Sequence, residues 1–337
     1  MLLIKEKFKL QKSMSACNPS IDTAIHLYDH TIKPILLYCS EIWGSFKINS
    51  AACKIKSDYL FELIYINDYL EKSHFRYLKY ILGVNKKASN LAVLSEVARF
   101  PLYFSVIISM VKYVHRLNKL DTGLLYDAYV CNKILDAENI NCWYSSMKYV
   151  LQSLDIQNLD TKLNKLIKFV KCKLCNSFKT FWLVKRSETL SQGNSKLENY
   201  FNLKTDFVKE AYLSIKDFSI RRAICKMRIS AHDLRIEKDR YSKKYIERTQ
   251  RLCHHCLSHG SNSIEDETHF TVNCPLYDEQ RKLLFDKVIT FCTNFKELPN
   301  DKKYFWLFTN EHLPTLMCLG NYIIKGLEIR SRCKQNI

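Results

Sequence analysis

Glycine and proline are scarce in this chain of 337 residues, which has 7 glycines and 6 prolines. Each makes up roughly 2% of the residues, whereas globular proteins average roughly 7% glycine and 5% proline. Nucleotide-binding folds built on glycine loops fit such a composition poorly, and so do β-sandwiches and barrels rich in turns. The scarcity of both residues therefore favours a mainly α-helical fold.

Long apolar segments are missing as well. The longest candidate, Pro101–Val111, ends at Lys112 and is about half as long as the roughly 20 residues that a membrane-spanning helix needs. Charged residues interrupt the first ten positions, so we expect no signal peptide there. We therefore expect no membrane partner, and an intracellular protein whose 14 cysteines stay reduced.

Catalytic motifs are absent too. The chain has no Y-x-D-D pair to hold polymerase magnesium, no G-x-x-x-x-G-K-[ST] loop, no H-E-x-x-H and no nucleophile or nuclease motif. Three successive carboxylates at Glu265–Glu267 cannot easily converge on one ion, so we expect a solvated loop there. The sequence predicts that the chain is not an enzyme and has no small-molecule substrate.

Positive charge is what the chain has in excess. Its 52 Lys and Arg residues outnumber 34 Asp and Glu residues, which gives a formal net charge of +18. With 47% hydrophobic residues the chain can still bury a sizeable core. An excess of this size indicates a polyanionic partner, and we expect that partner to be RNA, DNA or both.

Two stretches concentrate this charge. From Thr161 to Ser187 eight basic residues occur without any Asp or Glu, on one side of an amphipathic helix. A solvated surface helix is the alternative there, and the absence of acids favours contact with phosphate groups. From Arg221 to Arg251 eleven basic residues are mixed with four acidic ones, so ordinary helix salt bridges are the alternative. The candidate nucleic-acid contacts of the first stretch are Lys162, Lys165, Lys168, Lys171 and Lys173.

One constellation carries metal chemistry. Cys253 and Cys256 form a C-x2-C pair, and His269 and Cys274 form an H-x4-C pair further along the chain. These four side chains suit one tetrahedral zinc ion, and a site filled by four protein ligands is structural. The spacing resembles a zinc knuckle with a longer central spacer. Two alternatives stay open, namely buried thiols without metal and a site in which a nearby histidine replaces one ligand: His254, His255 or His259.

Local patterns predict several helix boundaries. We expect Pro34 in the first turn of a helix and Trp43-Gly44 at the end of that helical unit. Gly83 is expected to adopt a left-handed cap, and Pro275 to begin a helix directly after the last cysteine. The stretch Ser187–Ser195 has the composition of a loop and is a candidate domain boundary.

Four blocks carry a family resemblance, in the family's order. They are Lys33–Gly44 (KPILLYCSEIWG), then Phe75–Val84 with Ala88–Val93 and Glu96–Leu102, then Arg228–Glu237 with Arg240-Tyr241, and finally Arg251–Cys253, Cys256, Glu265–Glu267, His269-Phe270 and Cys274-Pro275. Together these blocks resemble the region that follows the reverse transcriptase domain in LINE-type, non-LTR retrotransposon polyproteins. The resemblance implies a fragment that lies downstream of the polymerase active site, without the palm aspartates of that RNA-directed DNA polymerase.

The resemblance also implies a role and a set of residues. In the family this region helps to bind template RNA and target DNA, in a cytoplasmic ribonucleoprotein or in the nucleus, beside a separate polymerase domain. Cys253, Cys256, His269 and Cys274 then become the metal ligands. A core or capping role is the alternative for the histidine among the implied nucleic-acid contacts, which are Arg228, His232, Arg235, Arg240 and Tyr241.

Three departures from the family pattern concern glycine. Cys39 stands where the family usually has glycine, Leu94-Ser95 replaces its usual Tyr-Gly, and Val97-Ala98 replaces its usual Leu-Gly. We expect altered turns at these positions, because glycine is the residue that adopts left-handed backbone most easily. The alternative function is an inert helical scaffold, or a protein-interaction relic of a truncated element.

Taken together, these patterns predict a helical bundle followed by a small CCHC zinc module and a C-terminal helix. The predicted segments are a thumb-adjacent, connector-like helical region at 1–125, a basic helical region at 126–245, a zinc-module-like region at 246–285 and a helical tail at 286–337.

Overall fold

The computed structural model describes residues 18–52, 69–159, 161–193 and 195–333. Within these ranges the chain is mainly α-helical and contains no β-strand, apart from one isolated antiparallel bridge between Leu252 and Ile264. The predicted fold class is therefore confirmed. No helix in these ranges combines the length and the apolar character needed to cross a membrane.

The α-helices of the described ranges are numbered here in chain order. They are α1 (Ile21–Thr31), α2 (Lys33–Leu36), α3 (Ser40–Ala52), α4 (Tyr69–Leu82), α5 (Asn90–Glu96), α6 (Tyr103–Leu117), α7 (Leu124–Ala137), α8 (Trp143–Ser153), α9 (Leu163–Gln192), α10 (Glu198–Leu203), α11 (Phe218–Arg228), α12 (Arg235–Lys238), α13 (His254–Ser258), α14 (Asp278–Phe291), α15 (Asn300–Thr309) and α16 (Leu313–Cys333).

The chain divides into two compact units. The described residues of the first unit fall within Ile25–Phe75 and Arg99–Lys185. Those of the second unit fall within 18–24, Arg76–Ala98 and 186–333. The four-segment division predicted from the sequence stays a prediction, and the two units are described separately below.

Close packing around α3 forms the centre of the first unit, where this helix lies against α6 and α8. A Cβ atom on Gly44 would lie 2.5 Å from Cγ1 of Val106, so only glycine permits this approach of α3 to α6. The prediction that Trp43-Gly44 closes a helical unit is wrong, because α3 continues through this pair. Trp143 of α8 donates its indole N–H to the carbonyl of Glu41 at 2.9 Å.

Several helix ends follow the chemistry of their sequence. Ser89 caps α5 by accepting a hydrogen bond from the backbone N–H of Ala92. Gly83 ends α4 with φ of +67°, which confirms the left-handed cap. Pro34 lies in the first turn of α2, as predicted. The loop predicted at Ser187–Ser195 is shorter than expected, since α9 continues to Gln192.

Helix α16 organises the second unit, where α11 and α14 both pack against it. Two glycines make room for these contacts. A Cβ atom on Gly320 would lie 2.5 Å from Cγ2 of Ile220, and one on Gly326 would lie 2.8 Å from Cζ of Phe270. Phe270 directly follows one of the predicted metal ligands, so α16 supports the segment that carries the ligand.

Candidate metal centre and basic surfaces

Four predicted ligands meet in one buried cluster of the second unit. Cys253 precedes α13, Cys256 lies within it, and His269 and Cys274 flank a single π-helical turn before α14. All four side chains are buried, and their candidate ligand atoms lie within 4.8 Å of one another. The chain therefore contains a Cys3His cluster that can hold a metal ion.

The distances within the cluster have tetrahedral character. The Sγ atom of Cys274 lies 3.8 Å from Sγ of Cys253 and 3.9 Å from Sγ of Cys256. The Nε2 atom of His269 lies 3.3 Å from Sγ of Cys256. A tetrahedral ion with metal–sulfur bonds of about 2.3 Å holds two sulfurs about 3.8 Å apart, and a sulfur and an imidazole nitrogen about 3.5 Å apart. These three distances thus fit a tetrahedral metal.

The protonation of the thiols also favours a bound cation. The hydrogen bond with Cys274 lowers the pKa of Cys253 to about 3, and the same bond raises the pKa of Cys274. Burial raises the pKa of Cys256. Three thiolates this close repel one another, so without a cation the cluster favours a single charge. A divalent cation removes this restriction, because it binds the thiolates directly.

The first ligand pair is positioned by a short backbone pairing. The backbone N–H of Cys253 donates to the carbonyl of Ser263 at 2.7 Å, and the N–H of Glu265 donates to the carbonyl of Arg251 at 2.9 Å. This pairing closes the loop that contains α13. Cys256 therefore returns to the side of Cys253, which is the arrangement that a C-x2-C chelate requires.

The second ligand pair is positioned by a wide turn. The backbone N–H of Cys274 donates to the carbonyl of His269 at 2.8 Å, five residues earlier, so the H-x4-C spacing corresponds to one π-helical turn. The side chain of Asp266 caps this turn by accepting from the N–H of His269 at 2.8 Å. Pro275 then begins the turn that leads into α14, as predicted.

The acidic run beside the cluster is buried, so the predicted solvated loop is wrong. Glu265 and Glu267 are each 5% exposed. The guanidinium of Arg330 donates two hydrogen bonds to Glu265, at 2.5 and 2.6 Å. Glu267 accepts from Ser230 at 2.6 Å and lies 2.8 Å from Nε2 of His232. The carboxylates face different partners from distant parts of the sequence, which is why the local run alone gave no sign of burial.

The three alternative ligands lie outside the cluster. His254 and His259 are exposed, and His255 is half-buried. The rings of His255 and His259 contact each other, with centroids 4.3 Å apart. The four ligand atoms that converge are those of the residues in the C-x2-C and H-x4-C pairs.

The lysines of the first basic stretch lie on the outer face of α9 and its N-terminal turn. All five predicted contacts, Lys162, Lys165, Lys168, Lys171 and Lys173, are exposed, and so is Lys179. Val170, Leu174 and Phe178 are buried on the other face. At 100° per residue, Lys165, Lys168 and Lys179 project opposite to this buried face.

Most of these lysines lack a carboxylate partner. Lys173 pairs with Asp155 at 2.9 Å, but no described carboxylate lies within 4 Å of the ammonium groups of Lys165, Lys168 or Lys179. Lys33, which the sequence analysis missed, adds to the positive surface. Burial lowers its pKa, and the charges of Arg99 and Lys171 lower it further. Only the folded chain reveals this addition.

Two residues of the second basic stretch are buried in ion pairs. Arg228 is 1% exposed, and its guanidinium lies 3.3 Å from Glu96 and 2.8 Å from Glu210. His232 is 5% exposed and faces Glu267. Burial alone would raise the pKa of Glu267, but the charge and hydrogen bond of His232 lower it. That Arg228 and His232 contact nucleic acid stays a prediction.

The other three residues of that stretch lie nearer to solvent. Arg235 pairs with Asp239 at 2.6 Å, and Arg240 pairs with Glu237 at 2.9 Å. Tyr241 is 48% exposed. The structure therefore separates the five candidates into two buried residues, two paired arginines at the surface and one exposed ring.

Comparison with known proteins gives no match, whether to a family model, to a curated protein or to a solved structure. Function is therefore inferred from the metal-ligand cluster, from the distribution of charge and from the sequence blocks. The metal cluster and the lysine face of α9 are the two features with defined chemistry.

Proposed function

We propose that this chain is a nucleic-acid-binding fragment of a LINE-type, non-LTR retrotransposon reverse transcriptase polyprotein. It assists the binding of template RNA and target DNA, and it has no polymerase active site of its own. A separate polymerase domain supplies the chemistry. The observation that carries this proposal is the outer face of α9, where Lys165, Lys168 and Lys179 are exposed and have no carboxylate within 4 Å among the described residues.

This face has the chemistry of a phosphate-binding surface. An ammonium group that already pairs with a carboxylate gains little from a phosphate, whereas an unpaired one releases counterions when it binds. Lys165, Lys168 and Lys179 project from one side of a long helix, so they can follow a polyanion along its length. Phe169 is 43% exposed among them and offers a ring on which an unpaired base can stack.

Backbone conformation supports the family assignment at two positions. Cys39 has φ of +53° and Ala98 has φ of +50°, both in the left-handed region. These are two of the three positions at which the family usually has glycine, and the third, Ser95, lies within α5. Instead of the altered turns expected from the sequence, the backbone keeps the conformation that glycine adopts without strain. A turn of this kind is consistent with descent from a glycine-containing ancestor.

We further propose that the Cys3His cluster binds one structural zinc ion. Three thiolates and one imidazole are soft to borderline donors, which suit zinc better than magnesium or calcium. Four protein ligands leave no open position for a substrate. When bound, zinc supplies a cross-link, and Cys253, Cys256, His269 and Cys274 would hold the loop around α13 against the turn before α14.

The metal proposal is tested by elemental analysis of the purified chain. We expect one zinc per chain, lost in Cys256→Ser and retained in Cys172→Ser, which changes an exposed thiol outside the cluster. Wild-type protein without stoichiometric metal, or with equal zinc in both variants, would contradict the assignment.

The nucleic-acid proposal is tested by removing the lysine face. The variant Lys165→Ala/Lys168→Ala/Lys179→Ala is compared with a control that loses equal charge from exposed sites on α14 and α16, Lys282→Ala/Lys287→Ala/Lys325→Ala. Anisotropy of a labelled single-stranded RNA measures affinity. We expect the first variant to bind at least tenfold more weakly and the control to resemble wild type. Equal weakening of the two variants would remove α9 as the binding surface.

An inert helical scaffold is the second candidate function. One observation favours it, namely that Arg228 and His232 of the family-like basic block are buried in ion pairs. A scaffold has no need of unpaired lysines and shows no salt-dependent affinity for RNA. The same titration therefore separates the two functions, since a scaffold fails to bind even at low salt.

A further inference from the structure

A second positive cluster, unrelated to α9, surrounds Tyr241 in the second unit. Its three lysines come from separate stretches of the chain. Lys79 lies near the end of α4, Lys87 lies between α4 and α5, and Lys196 lies just before α10. We call these three lysines and Tyr241 the Tyr241 cluster.

The ring of Tyr241 holds two of the ammonium groups. Nζ of Lys87 lies 4.4 Å from the ring centroid and Nζ of Lys196 lies 5.4 Å from it, both within the range of a cation–π contact. Nζ of Lys196 also lies 3.4 Å from the Tyr241 hydroxyl. The two ammonium groups are thus less than about 10 Å apart, over one exposed ring.

Backbone carbonyls fix the remaining geometry. Nζ of Lys79 donates to the carbonyl of Lys86 at 3.0 Å, and Nζ of Lys196 donates to the carbonyl of Lys87 at 3.5 Å. These contacts tie the lysines to the segment between α4 and α5. The cluster is therefore a defined arrangement and not three independent mobile side chains.

Negative charge in the cluster falls short of the positive charge. Lys196 pairs with Glu237 at 3.3 Å, but Glu237 also pairs with Arg240. Neither Lys79 nor Lys87 has a carboxylate within 4 Å among the residues that the structure describes. Burial lowers the pKa of Lys79 to about 8, and the charge of Lys196 adds to this effect. The carboxylates of the described residues therefore do not balance the positive charge of the cluster.

We propose that the Tyr241 cluster binds backbone phosphates of a single-stranded nucleic acid, with Lys87 and Lys196 each contacting one phosphate and Tyr241 as the positioning residue. The inference rests on the proposed function and adds a second, separate contact site to it. A single strand is favoured because Tyr245, four residues beyond Tyr241, is 80% exposed and can stack on an unpaired base. Lys243 and Lys244, between the two tyrosines, are also exposed.

The test compares two variants of equal charge. Lys87→Ala/Lys196→Ala alters the cluster, and Lys282→Ala/Lys287→Ala alters two exposed lysines of α14. Affinity for a labelled single-stranded RNA is measured at several salt concentrations. We expect the first variant to bind about tenfold more weakly, with its salt slope reduced by about 1.4, since each phosphate contact on a single strand contributes about 0.7. The second variant should stay within about twofold of wild type.

Three results would overturn the inference. If wild type binds RNA and the two double variants bind equally well, the Tyr241 cluster is not a contact site, while the proposed function stands. If wild type does not bind RNA at low salt, the proposed function and this inference both fail. If the cluster variant binds RNA as well as wild type does but no longer binds inorganic phosphate, the site is one for free phosphate.

Substitution of the tyrosine tests its positioning role. Tyr241→Ala removes the ring beneath the lysines and should reproduce most of the loss, whereas Tyr241→Phe keeps the ring and should restore most of the affinity. Equal binding by both variants would contradict the role. Because Lys196 is partly buried, the single substitution Lys87→Glu at an exposed position serves as a second variant if Lys196→Ala unfolds the chain. Retained wild-type affinity in a folded Lys87→Glu chain would also overturn the site.

Discussion

The two basic stretches of this chain have a similar net charge but differ in the exposure of their basic side chains. On α9, in the first unit, the lysines project from a helix whose other face is buried, and most of them have no carboxylate partner. In the second unit, Arg228 and His232 are buried and face Glu96, Glu210 and Glu267. In these two stretches, the basic residues that occur without acids stay exposed, whereas two of those mixed with acids are buried in ion pairs.

The physical reason lies in the cost of burying charge. A guanidinium can leave water only if carboxylates and carbonyls compensate it, and distant carboxylates of the same chain can do so as well as local ones. Arg228 finds Glu96 from α5 and Glu210 from the segment before α11. We therefore expect substitutions of the buried Arg228 to change the stability of the fold, and substitutions of the α9 lysines to change the affinity for nucleic acid.

Metal removal should give the largest effect, and in the second unit. A chelator withdraws the cross-link between Cys253, Cys256, His269 and Cys274, and structural zinc contributes about 10 to 16 kcal/mol in small peptides. We expect the thermal midpoint of the second unit to fall by more than about 10 °C, since about 1 kcal/mol shifts the midpoint by 2 to 4 °C in domains of 150 to 250 residues. Circular dichroism at 222 nm follows the transition. An unchanged melting curve would contradict a structural metal.

Arg228→Ala should cost about 3 to 5 kcal/mol of unfolding free energy, because Glu96 would be left buried without its cation, although Glu210 would keep its pair with Lys204. Urea denaturation measures the change. Lys168→Ala, in the exposed stretch, is the matched control and should change stability by less than about 0.5 kcal/mol. Similar losses of unfolding free energy in the two variants would contradict this difference between buried and exposed charge.

The pH dependence of binding sharpens the role of the Tyr241 cluster. Burial and the charge of Lys196 lower the pKa of Lys79 to about 8, so this side chain is charged at pH 7 and largely neutral at pH 9. Affinity for single-stranded DNA should fall as pH rises through 8, and Lys79→Gln should flatten that part of the profile. The free energy of unfolding changes with pH in the opposite direction. Between about pH 8 and 10 the Lys79 side chain keeps its proton in the unfolded chain, whose lysine pKa is about 10.4, but loses it in the folded chain, so stability rises with pH. A profile that is identical in wild type and Lys79→Gln would exclude Lys79 from the binding site.

The smallest expected effect concerns the turn that follows Glu96, the partner of Arg228. Ala98 has a left-handed backbone that glycine adopts without strain, so Ala98→Gly should stabilise the chain by about 0.5 to 1 kcal/mol. The same change inside α5, Ala92→Gly, should destabilise it by about 1 kcal/mol. Urea denaturation of both variants checks the opposite signs. Destabilisation by Ala98→Gly would remove the backbone argument for the family assignment.

Local chemistry in the sequence predicted the fold class, several helix ends and the four residues of the cluster. Ser89, Gly83 and Pro275 act through neighbours within a few residues, so their roles are visible in the sequence. The burial of Glu265 depends on Arg330, and the packing of Gly44 depends on Val106, which are far away along the chain. The three lysines of the Tyr241 cluster could not be predicted for the same reason, since they come from three separate segments, whereas Tyr241 itself was among the contacts that the resemblance implied.

A titration of labelled single-stranded RNA with the wild-type chain at several salt concentrations, before and after chelation, decides whether α9 binds nucleic acid. We expect the logarithm of the affinity to fall linearly with the logarithm of the salt concentration, with a slope steeper than about −2 from three contacts on α9. Binding through α9 should persist after chelation, because the metal-ligand cluster belongs to the other unit. No binding at low salt, or binding that is indifferent to salt, would contradict the account.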